Sequence, residues 1–128
     1  MESIRISGIT FNLDPTKPFY EQIVEQVRGA LARGDLGLRE RMPSVRELAL
    51  RLKVNPNTVM RAYQDLERGG LLVTYRGQGT FTTDKAEPVE RIRRDLACQA
   101  INQLVTVMRR LGFSREEALA LLEEVDWH

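Results

Sequence analysis

Cysteine and histidine each occur only once in this chain, as Cys98 and His128. A single cysteine cannot form an internal disulfide, and a structural zinc site needs a cluster of Cys and His ligands that this sequence lacks. A Ser/His/Asp or Cys/His catalytic arrangement needs a histidine beside a nucleophile, and the one histidine is the last residue. The sequence therefore predicts no metal, no cofactor and no enzymatic activity.

Long apolar segments are also missing. No run approaches the roughly 20 residues that a membrane-spanning helix requires, and the opening residues MESIRISG lack the charged and apolar regions of a signal peptide. With 42% hydrophobic and 29% charged residues, the composition is typical of a globular protein. We therefore expect a cytoplasmic protein without membrane contact, built as one domain with a small appendage.

The segment that follows Pro43 predicts a short helix. Ser44 and Glu47 have the S-x-x-E spacing of a capping box, in which each side chain pairs with a free backbone N–H of the first turn. Apolar residues then recur at the helical spacing i, i+3, i+4, i+7, as Val45, Leu48, Ala49 and Leu52.

A second helix is predicted over residues 56–68. Asn55 is a favourable N-cap residue, and Pro56 suits the first helical position because it has no N–H to leave unpaired. The predicted inner stripe is Val59, Ala62, Tyr63 and Leu66. The other face carries donor-rich side chains of the types that contact base edges and phosphates, namely Asn57, Thr58, Arg61, Gln64 and Arg68. Two helices joined by so short a turn have helix-turn-helix spacing.

A β-hairpin is predicted after the glycines that end the second helix. Residues 71–75 and 80–83 form its strands, and residues 76–79 form a turn in which glycines take positive φ. The whole order predicts a winged helix-turn-helix, whose usual function is DNA binding. The fold class expected is mainly α with a small β-hairpin: an N-terminal winged helix-turn-helix followed by a two-helix C-terminal dimerisation module.

These residues resemble the GntR family of bacterial transcription regulators. The matching motifs are Pro43-Ser44-Val45-Arg46-Glu47-Leu48-Ala49, Val54 with Thr58-Val59, Leu66 with Gly70-Leu71, and Gly77-Gln78-Gly79-Thr80-Phe81. The run NPNTVMRAYQDLE and the short tail are similar to the YtrA subfamily. The resemblance implies DNA contacts by Arg46 and Thr58. Many members also carry arginine where this chain has Pro56 and Met60. The base contacts that those arginines make in other members are therefore not expected here.

Charge follows the same division of the chain. Residues 41–84 hold seven basic and four acidic side chains, a net charge of +3, whereas residues 86–128 hold six basic and eight acidic ones, a net charge of −2. The excess of positive charge in residues 41–84 is modest, so one copy would bind DNA only weakly through phosphate contacts. Two copies would double these contacts, which favours a dimer. The DNA-binding residues predicted are Ser44, Arg46, Asn55, Asn57, Thr58, Arg61, Gln64, Arg76, Gly77, Gln78, Gly79 and Thr80.

An N-terminal arm over residues 1–17 and a long helix over residues 18–34 complete the predicted domain 1–84. Apolar residues alternate around Gly8, which indicates two short strands, although a loose terminus is the alternative. The long helix ends at Gly34, and residues 35–42 are predicted to be a loop.

The tail, residues 85–128, contains two predicted helices over residues 88–111 and 115–125. Ser114 and Glu117 form a second capping box. The first tail helix is apolar on two faces, and some 40 residues cannot enclose a core alone. We therefore expect a homodimer, as the subfamily resemblance also implies; the alternative is a monomer whose tail folds back. The predicted interface is Ile92, Leu96, Ala100, Leu104, Val107, Leu111, Leu119 and Leu122.

The function predicted is sequence-specific transcription regulation by a homodimer, acting as a repressor on an inverted-repeat operator in double-stranded DNA. Two alternatives stay open: a winged helix used for protein–protein contacts, and an activator switched by an unidentified small-molecule effector. Neither the operator nor an effector follows from these residues.

Overall fold

Nine regular elements make up the part of the chain, residues 3–128, that this computed structural model describes. Met1 and Glu2, the start of the predicted arm, lie outside the described residues. In order, the elements are β1 (Ser3–Ile6), β2 (Ile9–Asn12), α1 (Phe19–Arg33), α2 (Val45–Leu52), α3 (Pro56–Arg68), β3 (Leu72–Tyr75), β4 (Gly79–Thr82), α4 (Ala86–Arg110) and α5 (Arg115–Glu124). The expected fold, mainly helical with a winged helix-turn-helix, is confirmed, and β1–β2 adds a second hairpin.

The core of the first compact unit, which ends at Arg93, lies among the first three helices. Helix α1 packs against α3, and α2 packs against α3, so α3 is held from two sides. The buried residues of α1 recur at helical spacing, as Ile23, Val27, Ala30 and Leu31. Gly34, with φ of 81°, ends α1 in the left-handed conformation that its lack of a Cβ allows.

The arm is a β-hairpin that packs against this core. Strands β1 and β2 are antiparallel, with Ile6 opposite Ile9. Both side chains and that of Phe11 are buried in the core. Among the described residues the arm is therefore structured, and the alternative of a loose terminus is wrong.

Two glutamines of α1 bind the chain that leaves this hairpin. The Gln26 side chain accepts from the Asn12 N–H at 2.9 Å and donates to the Asn12 carbonyl oxygen at 2.7 Å. One turn earlier, Gln22 does the same with Asp14, at 2.7 and 2.8 Å. Each amide thus pairs both backbone groups of one residue, and the hairpin is fixed to α1.

The segment predicted to be a loop before α2 pairs with the hairpin that β3 and β4 form. Strands β3 and β4 are antiparallel, and Arg41 forms an isolated bridge with Phe81 on the other side of β4. The Met42 N–H donates to the Thr80 carbonyl at 2.8 Å, and the Thr82 N–H donates to the Glu40 carbonyl at 2.8 Å. This hairpin, residues 72–82, is the wing of the winged helix, and it is joined to the residues that lead directly into α2.

The second compact unit, Arg94–His128, comprises most of α4 and all of α5. The predicted capping box of α5 is present in both halves: Ser114 and Glu117 pair reciprocally, at 3.0 and 3.1 Å. The backbone N–H of Ser114, and then its hydroxyl, hold the pKa of Glu117 below its usual value. The sequence prediction placed the domain boundary at residue 84, whereas the compact units divide after Arg93.

Candidate nucleic-acid interface

Helix α3 presents a predominantly polar face to solvent. Its first turn is formed as predicted: the Asn55 side-chain oxygen accepts from the Asn57 N–H at 2.8 Å, and Pro56 occupies the first position. The opposite face is buried through Val59, Ala62, Tyr63 and Leu66. The predicted contact residues Asn57, Arg61 and Gln64 are exposed, and Thr58 is half-buried.

Helix α2 places Arg46 in its first turn, exposed to solvent. The Ser44 hydroxyl oxygen accepts from the Glu47 N–H at 3.0 Å. The reciprocal bond from the Ser44 N–H to the Glu47 side chain is not formed among residues 3–128, so the full capping box predicted here is wrong. Ser44 and Asn55 therefore cap the starts of α2 and α3, and both remain exposed.

A tyrosine on α3 fixes the two helices to each other. The Tyr63 hydroxyl, which is buried, donates to the Pro43 carbonyl oxygen at 2.7 Å, just before α2 begins. Burial, and then the nearby charge of Glu47, raise the pKa of Tyr63 well above its usual value of about 10. This bond holds the entry to α2 against the middle of α3.

We expect Tyr63→Phe to lower the free energy of unfolding by about 1–3 kcal/mol at neutral pH, because the Pro43 carbonyl loses its partner. The difference from wild type should shrink above pH 10. The raised pKa stabilises the fold fully below the unfolded pKa of about 10, and this stabilisation is lost as pH rises toward the folded value. Urea unfolding of both proteins from pH 7 to 11 measures it. If the difference in unfolding free energy between the two proteins stayed constant from pH 7 to 11, the raised pKa of Tyr63 would be contradicted.

Arg61 lies over the aromatic ring of Tyr20 on α1, with its guanidinium carbon 3.7 Å from the ring centroid. This cation–π contact was not predicted, since the two residues are far apart in sequence. The contact restricts a long, flexible side chain on the exposed face of α3. The guanidinium of Arg61 is thereby held against α1.

The wing tip is an exposed turn that contains Arg76, Gly77 and Gln78. Gly77 and Gly79 have φ of 80° and 114°, a region that residues with a side chain rarely adopt, so both glycines are required by the turn. Thr80 is half-buried and its hydroxyl lies 3.0 Å from that of Thr74. Below the turn, the Tyr75 and Phe81 rings pack edge to face.

Arg41 lies beside the same turn, although it falls in the segment predicted to be a loop. Its guanidinium lies about 3.6 Å from the position that a Cβ on Gly79 would occupy. The β-bridge between Arg41 and Phe81 is what brings it there. A long-range backbone pairing of this kind leaves no local signal in the sequence.

The exposed arginines near α2, α3 and the wing differ in their ion pairing. Arg39 pairs with Asp84 at 3.3 Å, and Arg68 pairs with Asp65. Arg51 has no ion pair among the described residues but donates to the Arg5 carbonyl oxygen at 3.2 Å, whereas Arg41, Arg46, Arg61 and Arg76 form no ion pair within the part of the chain that the structure describes. These four side chains keep their full charge available to an anionic partner such as a phosphate backbone.

The second unit has a separate apolar surface, a groove of about 610 Å³ between α4 and α5. Three predicted interface residues, Leu104, Leu119 and Leu122, line it. Val107 lines a different, shallower depression with Asn102 and Thr106. Leu96, Ala100 and Leu111 are also exposed.

Ile92 was predicted to lie in the dimer interface, and the structure places it elsewhere. It is buried in the core of the first unit, and Val89, one turn earlier, packs against the same core. Helical spacing shows which residues share a face but not which neighbour covers them. Ile92 therefore contributes to the first unit, and we remove it from the proposed dimer contacts.

Phe113 lines the tail groove and was missed in the sequence analysis. It follows Gly112, whose φ of 85° ends α4, and its N–H donates to the Met108 carbonyl at 3.0 Å. A hydrophobic residue directly after such a glycine commonly packs back on the helix, and that signal was present in the sequence.

No helix within residues 3–128 is both long and apolar enough to span a membrane. Within the same described range, no cluster of His, Cys, Asp and Glu side chains is placed to hold a metal ion.

A helix-turn-helix with an exposed polar second helix and an arginine-bearing wing defines a winged-helix DNA-binding protein. The sequence profile of "Bacterial regulatory proteins, gntR family" matches residues 19–82. The chain belongs to the GntR family. It is a DNA-binding transcription regulator of the YtrA-like kind, and the proteins it is similar to are regulators rather than enzymes.

Two relatives and one solved structure support this assignment. The HTH-type transcriptional repressor YtrA of Bacillus subtilis (strain 168) is 43% identical over 116 residues, which are 88% of this chain and 89% of the relative. YhcF of the same organism, an uncharacterized HTH-type transcriptional regulator, is 43% identical over 104 residues, 81% of this chain and 86% of the relative. A GntR family transcriptional regulator from Listeria monocytogenes has a TM-score of 0.78 at 34% identity, covering 89% of this chain and 100% of that one.

Proposed function

We propose that this protein is a homodimeric repressor that binds an inverted-repeat operator. The observation that carries the proposal is the exposed face of α3, which lies in the same unit as the wing and four unpaired arginines. Each copy inserts α3 into a major groove, and the wing follows the adjacent backbone or minor groove. A two-fold axis between the copies orients the two half-sites oppositely.

The contact residues divide into two groups by position. On the exposed face of α3, Asn57, Arg61 and Gln64 approach base edges, because their side chains carry the donors and acceptors that the major groove presents. The remaining residues, which lie at helix starts, at the half-buried edge of α3 and in the wing, contact the phosphates and sugars: Ser44, Arg46, Asn55, Thr58, Arg76, Gly77, Gln78, Gly79 and Thr80.

Dimerisation is supported by the exposed apolar surface of the tail. Within Arg94–His128 the structure leaves no residue buried, although Leu104, Leu119 and Leu122 line a single groove. Monomeric proteins rarely expose so many large apolar residues in one place. A second copy that packs its own tail into this groove removes both surfaces from water.

Repression is supported by the name and similarity of the YtrA relative, which matches over most of both chains. A dimer bound across a promoter represses by occupying it, and this requires only DNA contacts and a stable dimer.

Selection of bound sequences from a random DNA library, with purified protein at moderate salt, tests the proposal. We expect an enriched motif of two inverted half-sites at fixed spacing. Enrichment of a single half-site, or of no motif, would contradict a dimeric operator-binding regulator.

The selected operator also tests Arg61. We expect Arg61→Ala to weaken binding by about tenfold or more, as loss of a base contact does. Arg93→Ala is the matched control, because Arg93 pairs with Glu90 on α4, outside the winged helix. Gel-shift titration of both variants measures the effect, and equal affinities would remove Arg61 from the contacts.

A further inference from the structure

One apolar side chain interrupts the polar face of α3. Met60 is 46% exposed, in the middle of a helix whose other solvent-facing side chains are predominantly polar. It lies one turn after the exposed Pro56 and one turn before Gln64, and Asn57 precedes it by three positions. The first two turns of the helix hold no carboxylate, and Asp65 in the third is half-buried and pairs with Arg68. An exposed apolar side chain thus lies at the centre of the surface that we propose binds DNA.

We propose that Met60 is a specificity-determining residue that contacts the C5-methyl group of thymine in the operator half-site. This inference rests on the proposed function. The thymine methyl is the apolar group that base edges present in the major groove, and apolar side chains are its ordinary partners. The Met60 side chain has no hydrogen-bond donor, so it cannot bind guanine as an arginine would.

The flexible thioether suits this role for a physical reason. Methionine has several rotatable bonds and a polarisable sulfur, so its end can adjust to a methyl group whose position varies with local DNA shape. Pro56 makes the preceding turn apolar as well, which favours a thymine rather than a polar edge opposite this part of the helix. Base readout on α3 is then mixed: donors from Asn57, Arg61 and Gln64, and one apolar contact from Met60.

Deoxyuridine substitution in the selected operator tests the contact, since uracil keeps every hydrogen-bonding group of thymine and lacks only the methyl. Thymines in the half-sites are replaced one position at a time, and affinities are measured for wild type, Met60→Ala and Met60→Leu. We expect about a fourfold loss for wild type at one position in each half-site, the effect of removing one buried methyl group. Met60→Ala should bind the thymine and uracil operators equally, and Met60→Leu should keep the preference for thymine.

The outcomes separate the inference from the proposed function. Wild type that binds the operator but tolerates uracil at every position would overturn the methyl contact and leave the regulator intact. Met60→Ala that retains the wild-type preference for thymine would also overturn it. Absence of any operator-specific binding by wild type would instead contradict the proposed function. A thermal melt of each variant checks that the winged helix remains folded.

Discussion

Leu104→Asp is expected to convert the protein to a monomer and to weaken operator binding by about 100-fold or more. Leu104 lines the tail groove, and a carboxylate there would lose its hydration on dimerisation without gaining a partner. Loss of the dimer removes the gain from binding two half-sites with one assembly, a factor of about 10²–10⁴. Sedimentation equilibrium gives the oligomeric state, and gel-shift titration gives the affinity.

Gln99→Asp is the matched control for this change. Gln99 is an exposed, polar position on the same helix, so the variant adds the same charge without altering an apolar surface. It should remain a dimer with unchanged affinity. A Leu104→Asp protein that still sediments as a dimer would place the interface outside this groove.

Phe11→Ala is expected to reduce the free energy of unfolding by about 3–5 kcal/mol. The Phe11 ring is only 1% exposed and lies in the core of the first unit. Its loss leaves a cavity beneath the hairpin of the arm, and a domain of this size has only about 5–15 kcal/mol of stability in total. Urea unfolding followed by circular dichroism measures the change.

The neighbouring strand residue offers a control. Thr10 points to solvent on β2, so Thr10→Ala should change the stability by about 0.5 kcal/mol or less. If Phe11→Ala proved as mild as Thr10→Ala, the hairpin would not be part of the cooperative core. In that case the arm should be treated as a separate appendage.

Features set by local chemistry were predictable from the sequence. Asn55 and Pro56 define the start of α3, because a cap and a residue without an N–H suit only that position. The capping box at Ser114 and the glycines of the wing turn have the same local character.

Features that depend on distant neighbours were not predictable. The Arg61–Tyr20 contact and the Arg41–Phe81 bridge join segments that are well separated in the chain, so no local pattern marks them. The burial of Ile92 shows the same limit within one helix. Its spacing matches that of Leu96, yet the first is covered by the winged helix and the second is exposed.

The glutamines of α1 have a consequence for how the protein behaves at high concentration. A strand with free backbone groups along one side is a template for pairing with another chain, and such pairing leads to aggregation. Here Gln26 occupies both backbone groups of Asn12, the last residue of β2, to which a foreign strand could otherwise pair. Gln22 does the same at Asp14, just beyond the strand. The side chain of a helix residue thus closes the end of this edge to a further strand.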